Sequence, residues 1–184
     1  RDDRAGMISV RATTHYYPQI MDNKTLLAAM EFSRMRLLDT LDGIEKSGQD
    51  MRQALAWRPA PGRAHIAWQA MHCAATHDRY YNTLILGSTP KDETLVKNFA
   101  GGSTPSDELV PSLDIIRTTL ARTFEPFKLF VSNASASELS RNHKLANGTD
   151  RSVAESIMLL TWHEAHHQGQ IHLTWNCYKA AHGL

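Results

Sequence analysis

Two histidines in the stretch TWHEAHHQGQIHLTW, residues 161–175, are spaced as a metal-binding pair. His163 and His167 are four residues apart, which places both imidazoles on the same side of a helix, one turn apart and about 40° from each other around the axis. They fall within an arc of apolar residues: Val153, Ile157, Leu160, Ile171 and Tyr178. A buried imidazole needs a polar partner to offset its desolvation, and one divalent ion would serve both rings. We therefore favour a shared metal ion over two core histidines with separate hydrogen bonds.

The same stretch spells H-E-x-x-H, the pattern of zinc metalloproteases, in which Glu164 would be the general base. The extended form of that pattern needs a glycine and a third histidine at fixed distances, and Gly169 and His172 each come one residue too early. Few residues follow His167, so we expect the third ligand upstream. No strand pair is visible that could hold an extended peptide. These features disfavour a protease, and for Glu164 they favour a surface or helix-packing role over catalysis.

Three upstream histidines are candidates for the third ligand: His65, His72 and His77. His65 and His72 are seven residues apart, about 10 Å along a helix axis, so they cannot both bind one ion. Spacing alone does not choose among the three. A catalytic site should keep one coordination position open, whereas a structural site should be closed by a fourth protein ligand, for which His77 or Glu164 would be the candidates.

Four helical segments can carry these residues, each recognised by apolar residues at three- or four-residue spacing. They lie near residues 23–45, 63–87, 107–131 and 152–180. Asp22 or Asn23 would cap the first segment and Gly48 would stop it, while Ser152 and Glu155 form a capping box at the start of the fourth.

The third segment contains two prolines. Pro111 is near enough to the segment's start to be tolerated, whereas Pro126 should kink or end the helix just before it. The Gly-, Ser-, Thr- and Pro-rich stretch 88–104 shows no periodicity and predicts a long connection between the second and third helices. Four helices and no convincing strand predict an all-α fold, a four-helix bundle. We assign it to residues 23–184 as one domain, preceded by an N-terminal extension, residues 1–22.

The composition limits the kinds of molecule that the protein is expected to bind. The 184 residues are 42% hydrophobic, enough for one core of ordinary size. The net charge of +1 is spread without a basic stripe, so we expect no nucleic acid partner. The absence of an apolar run long enough to span a bilayer, and of a signal-peptide pattern, predicts a cytoplasmic protein without membrane contact. Cys73 and Cys177 lie in separate apolar stretches and are expected to be buried free thiols.

Two motifs, IAWQAMHCAATHDRYYN in the second helical segment and LLTWHEAHHQGQIHLTW in the fourth, resemble the DinB-like (YfiT-like) metalloenzyme family in their order and separation. That family consists of four-helix bundles with a three-histidine metal site. The resemblance implies that His72 is the third ligand beside His163 and His167. The family's His-His-x-Gly-Gln-Ile ending is matched by residues 166–171.

Three neutral imidazoles suit Zn²⁺ or Ni²⁺, with Fe²⁺ or Mn²⁺ as further candidates. An open fourth position would accept water or a thiolate. The resemblance implies transfer or isomerisation chemistry that uses a low-molecular-weight thiol. The sequence therefore favours a metal-dependent transferase or small-molecule hydrolase, and a non-catalytic metal- or ligand-binding bundle is the alternative.

Other residues near the pair have weaker candidate roles. Glu164 is the weak catalytic candidate, and Gln170 could contact a molecule bound to the metal or make only structural hydrogen bonds. His166 and Trp162 point away from the apolar arc and indicate a packing or subunit surface, which leaves a homodimer open.

Overall fold

The computed structural model describes residues 22–145 and 147–184, and these residues form seven α-helices and one small β-hairpin. The helices are α1 (Asn23–Lys46), α2 (Met51–Ala56), α3 (Ile66–Asp78), α4 (Glu93–Phe99), α5 (Leu113–Asn133), α6 (Ala136–Ser140) and α7 (Val153–His182). The hairpin pairs β1 (Asn142–Lys144) with β2 (Asp150–Ser152) in antiparallel register. The predicted N-terminal extension, apart from Asp22, lies outside the described residues.

The four long helices form a bundle in which α1 packs against α5 and α7, and α3 packs against the same two helices. The all-α four-helix bundle is therefore confirmed. Two of the predicted caps are present: the Asp22 carboxylate accepts the Thr25 N–H at 2.8 Å, and Ser152 and Glu155 form the capping box of α7. Gly48 follows the end of α1 with a φ of 71°, a conformation that favours glycine.

The core consists of two apolar clusters, one toward each end of the bundle. One joins residues 37–44 of α1, 113–120 of α5 and 171–178 of α7 with most of α3. The other joins the opposite halves of α1, α5 and α7. Between them, at mid-bundle, lie buried polar side chains from all four long helices: Arg34, His77, Thr123, Glu164 and His167. We call these five residues the polar layer.

Helix α5 runs unbroken past Pro126, so the predicted kink or end at that residue is wrong. Pro126 offers no N–H to the carbonyl of Arg122, but both residues face solvent, where water can satisfy the carbonyl. On the other side of the helix Phe124 and Phe127 are buried in the core and hold the backbone on each side of the proline. Tertiary packing thus outweighs the local cost of proline.

The start of α5 and the end of the second helical segment also differ from expectation. Helix α5 begins after Pro111, with Ser112 as its cap, and is preceded by a separate 3₁₀ turn at Asp107–Leu109. The second segment is α-helical only to Asp78 and continues as a π-helix over Arg79–Ile85. The wider turn shifts the buried face, so that Ile85 is buried in place of Leu84.

Two connections contain more structure than the sequence predicted. The stretch 88–104 is a long connection as expected, but it holds the short helix α4. The expectation of no strand is wrong for the hairpin, which tethers the loop before α7 through His143 Nε2 and the Ser156 hydroxyl, 2.8 Å apart. Among the described helices, none combines the length and the apolar character that crossing a bilayer requires.

Candidate metal centre

Three histidines from two helices converge at mid-bundle. His72 lies on α3, and His163 and His167 lie one turn apart on α7. One ring nitrogen of each lies within 4.8 Å of the others, and the Nε2 atoms of His72 and His163 are 3.0 Å apart. The spacing of donor atoms around a single divalent ion is of this order, since metal–imidazole bonds are about 2.0–2.1 Å long.

The long connection between α3 and α5 orients His72. The Nδ1 of His72 is 2.6 Å from the carbonyl oxygen of Phe99, the last residue of α4. A carbonyl can only accept, so Nδ1 carries the proton and Nε2 presents its lone pair toward the other two histidines. The indole of Trp68 stacks on the ring at 4.7 Å, and Gly101 approaches it, since a Cβ there would lie 3.9 Å from Cε1 of His72. A backbone carbonyl that fixes the tautomer is a common partner of metal-binding histidines.

Burial keeps all three imidazoles neutral. Desolvation, followed by the neighbouring histidines, lowers the pKa of His163 and of His167 from 6.5 to about 3. Burial also lowers the pKa of His72, partly offset by the Phe99 carbonyl. Within the described chain, Nδ1 of His163 and Nδ1 of His167 are buried without a hydrogen-bond partner. Neutral imidazole nitrogens are ligands that divalent cations such as Zn²⁺ prefer, so the donor set fits such an ion.

The other two upstream histidines lie elsewhere. His65 caps the start of α3, where its Nδ1 accepts the Trp68 N–H at 3.0 Å and its Nε2 lies 3.2 Å from the Ser106 carbonyl. His77 is buried, with Nε2 3.2 Å from a Glu164 oxygen, close but not aligned as a hydrogen bond. Among the residues that the structure describes, the cluster contains His72 and the α7 pair alone, and neither fourth-ligand candidate joins it.

Glu164, the weak catalytic candidate, is buried and held by Arg34. The guanidinium Nε and Nη2 of Arg34 each donate to one carboxylate oxygen, the second at 3.0 Å. Only 1% of Glu164 is exposed, so a substrate has no access to the carboxylate. This geometry favours helix packing over general-base catalysis.

Arg34 was not recognised in the sequence, although a signal was present. It continues the spacing of the buried positions Met30, Leu37 and Leu41 on α1, which makes it a charged residue on an apolar stripe. Such a residue requires a buried partner, and Glu164 on α7 supplies it.

Gln170 lies on the exposed side of α7. Its side-chain nitrogen is 2.8 Å from Nε2 of His166, and the His166 ring stacks on Trp162 at 5.1 Å. His166 and Trp162 are exposed, as predicted. The hydrogen bond is the structural alternative for Gln170, and contact with a bound molecule stays a prediction.

Comparison with known proteins finds a matching family model and several similar solved structures. The family model described as the DinB superfamily matches residues 29–171, which include all three histidines. A crystal structure of a conserved protein from Enterococcus faecalis is similar with a TM-score of 0.66 and 15% sequence identity, over 86% of this chain and 98% of that one. At that identity the likeness concerns the fold. No curated protein matches the sequence.

Proposed function

Because the chain belongs to the DinB superfamily, whose model spans residues 29–171, we propose that it is a metal-dependent enzyme that acts on a small molecule. His72, His163 and His167 would hold one divalent ion, with Zn²⁺ or Ni²⁺ favoured over Fe²⁺ or Mn²⁺. The observation that carries the proposal is the convergence of three neutral imidazoles from two helices. When bound, the ion would supply Lewis acidity, which lowers the pKa of a coordinated thiol or water.

The chain's own residues prepare the site. The Phe99 carbonyl holds the proton on Nδ1 of His72, so that the lone pair of Nε2, which faces His163, would be the ligand to the ion. Burial keeps His163 and His167 unprotonated at neutral pH. His163 is only partly buried, so the cluster has a side that reaches solvent. Three protein ligands with access on one side favour an open, catalytic site over a closed structural one.

We propose thiol-dependent S-transfer as the reaction. The thiol sulfur would form a bond to an electrophilic carbon, the leaving group would depart with its bonding electrons, and the thiol proton would pass to solvent. Hydrolysis of a small activated substrate is the second reaction the same site could support. The carboxylate of Glu164 has no part in either reaction, because it is buried and paired with Arg34.

The test uses protein purified without chelating resin, stripped with a chelator and reloaded with Zn²⁺, Ni²⁺, Fe²⁺ or Mn²⁺. Conjugation of glutathione, bacillithiol or mycothiol to a chromogenic electrophile is followed with and without the ion, and hydrolysis of an activated ester without thiol is a second arm. We expect reloading to restore conjugation in the wild type and in His172→Ala, an exposed histidine of the same helix, but not in His72→Ala. Equal rates in stripped and reloaded protein in both arms would contradict the proposal.

A further inference from the structure

The ion pair between Arg34 and Glu164 lies within the polar layer, which also contains His167 of the histidine cluster. Besides its two bonds to Glu164, Arg34 donates from Nη1 to the carbonyl of Leu120 at 2.6 Å, and its guanidinium lies 4.3 Å from the ring centre of Phe124. Only 7% of the Arg34 side chain and 2% of the Glu164 side chain are exposed. Arg34 of α1 therefore binds both α5 and α7 at the level of the histidine cluster.

Glu164 is placed where it can control the ligand pair. It follows His163 directly and precedes His167 by three residues, about 100° and 60° away around the helix axis. The Nε and Nη2 donors of Arg34 form a rigid fork, and bidentate binding to it restricts the position and orientation of the Glu164 carboxylate. Because Glu164 lies between the two imidazoles within about one turn of α7, holding Glu164 restricts the rotation and height of both imidazoles relative to His72.

The apolar contacts of α7 do not provide this control by themselves. Leu160 and Ile171 belong to separate core clusters, one on each side of the layer, and eleven residues or about three turns separate them. Between them the inward face of α7 is polar. A buried ion pair is weak evidence for stability, because a well-packed apolar pair of similar size is often as stable or more so. The ion pair differs from an apolar pair in that its hydrogen bonds are directional.

We propose that Arg34 and Glu164 are positioning residues that set the rotation of α7 so that His163 and His167 meet His72 around one ion. The inference rests on the proposed function, because it assumes that the three histidines bind metal. Glu164 thereby acquires a role in the H-E-x-x-H stretch that is neither general base nor ligand.

The test uses Co²⁺ as the probe, because its visible absorption reports coordination geometry independently of turnover. Affinity and spectrum are measured for the full chain as wild type, Glu164→Gln, Arg34→Lys and the double variant Arg34→Met/Glu164→Met. We expect each variant to bind Co²⁺ about 10–100-fold more weakly, with an altered spectrum, as is typical when a group that orients metal ligands is lost.

The double variant separates positioning from stability. We expect it to unfold in urea near the wild-type midpoint, since both charges are removed together, yet to keep the weakened affinity and altered spectrum. Ser156→Ala is the matched control, because it removes another buried hydrogen bond of α7, to His143, away from the cluster, and should leave the spectrum unchanged. If the double variant does not fold, Arg34→Lys provides the test, because lysine keeps the positive charge but cannot form the bidentate pair with Glu164. Wild-type Co²⁺ affinity and spectrum in folded Arg34→Lys would then contradict the positioning role.

Two outcomes would count against the inference and are distinguishable. A folded double variant with wild-type Co²⁺ affinity and spectrum would overturn the positioning role and leave the metal site intact. A wild type that binds no Co²⁺, Zn²⁺ or Ni²⁺ in stoichiometric amount would overturn the proposed function, and the positioning role with it.

Discussion

Acidification from pH 7 to pH 5 should destabilise the metal-free fold while changing the metal affinity of the folded protein only weakly. Burial lowers the pKa of His163 and His167 from 6.5 to about 3, so both stay neutral in the folded protein over this range. In the unfolded chain both take up protons below pH 6.5. Because the unfolded state then binds more protons, stability falls as the pH drops from 6.5 toward 3.

The size of both effects follows from the pKa values. In the unfolded chain, a histidine with a pKa of 6.5 is about one quarter protonated at pH 7 and nearly fully protonated at pH 5. If the same histidine stays neutral in the folded protein, the free energy of unfolding falls by about 2 kcal/mol per histidine over this range. Solvent at the open side of the cluster screens part of this cost, so we expect His163 and His167 together to account for about 2–3 kcal/mol of lost stability. A site of three histidines with ordinary pKa values would lose about 10⁴-fold in metal affinity from pH 7 to pH 5, because protons compete for the ligand nitrogens. In this protein only His72 could be protonated in that range, and its protonation would lower the affinity by less than about 25-fold.

The assay combines urea unfolding of stripped protein with Zn²⁺ titration against a competing chelator at pH 7, 6 and 5. Other buried histidines, among them His65 and His77, also have lowered pKa values through burial and add to the loss of stability. The double variant His163→Ala/His167→Ala should therefore lose part of the pH dependence of unfolding, whereas His172→Ala should retain it. A fall in affinity of three or more powers of ten, with stability constant between pH 7 and 5, would refute the reasoning.

Two further predictions concern the frame around the site. Pro126→Ala should restore the N–H bond to the Arg122 carbonyl and stabilise the protein by about 2 kcal/mol, raising Tm by about 4–8 °C. Pro111→Ala, outside the helix, should give no such gain, and thermal unfolding that shows no rise for Pro126→Ala would contradict this. The buried Asp78 accepts the N–H groups of Lys91 and Asp92 at 3.0 and 2.9 Å, so Asp78→Ala should cost about 3 kcal/mol and speed hydrogen exchange of both amides. Unchanged exchange would show that Asp78 does not anchor the connection.

Helix α7 was largely readable from the sequence. Its start follows from the capping-box residues Ser152 and Glu155, and its apolar arc and the position of the histidine pair follow from a regular period of 3.6 residues. The third histidine was different, because His65, His72 and His77 were equally available by spacing, and only the family resemblance singled out His72. The structure brings His72 to the pair because α3 presents it there and the Phe99 carbonyl holds it.

What the sequence could not provide depends on tertiary packing. Proline normally ends a helix, but α5 continues through Pro126 because the residues on both sides of it, Phe124 and Phe127 among them, are buried in the core. The π-helix after Asp78 shifts the buried face by one residue and has no simple signature in residue types. The partner of His72 is a main-chain carbonyl, which any residue could provide at position 99. Arg34 is recognisable as a charged residue on an apolar stripe. That position predicts a buried partner for Arg34 but does not identify the partner as Glu164.

The most direct test of the three-histidine site is the metal content of protein purified without chelating resin, measured per chain by inductively coupled plasma mass spectrometry. We expect about one divalent ion per chain in the wild type and in His172→Ala, and loss of most of it in His72→Ala, His163→Ala and His167→Ala. Wild-type metal content in all three ligand variants, in folded protein, would contradict the site.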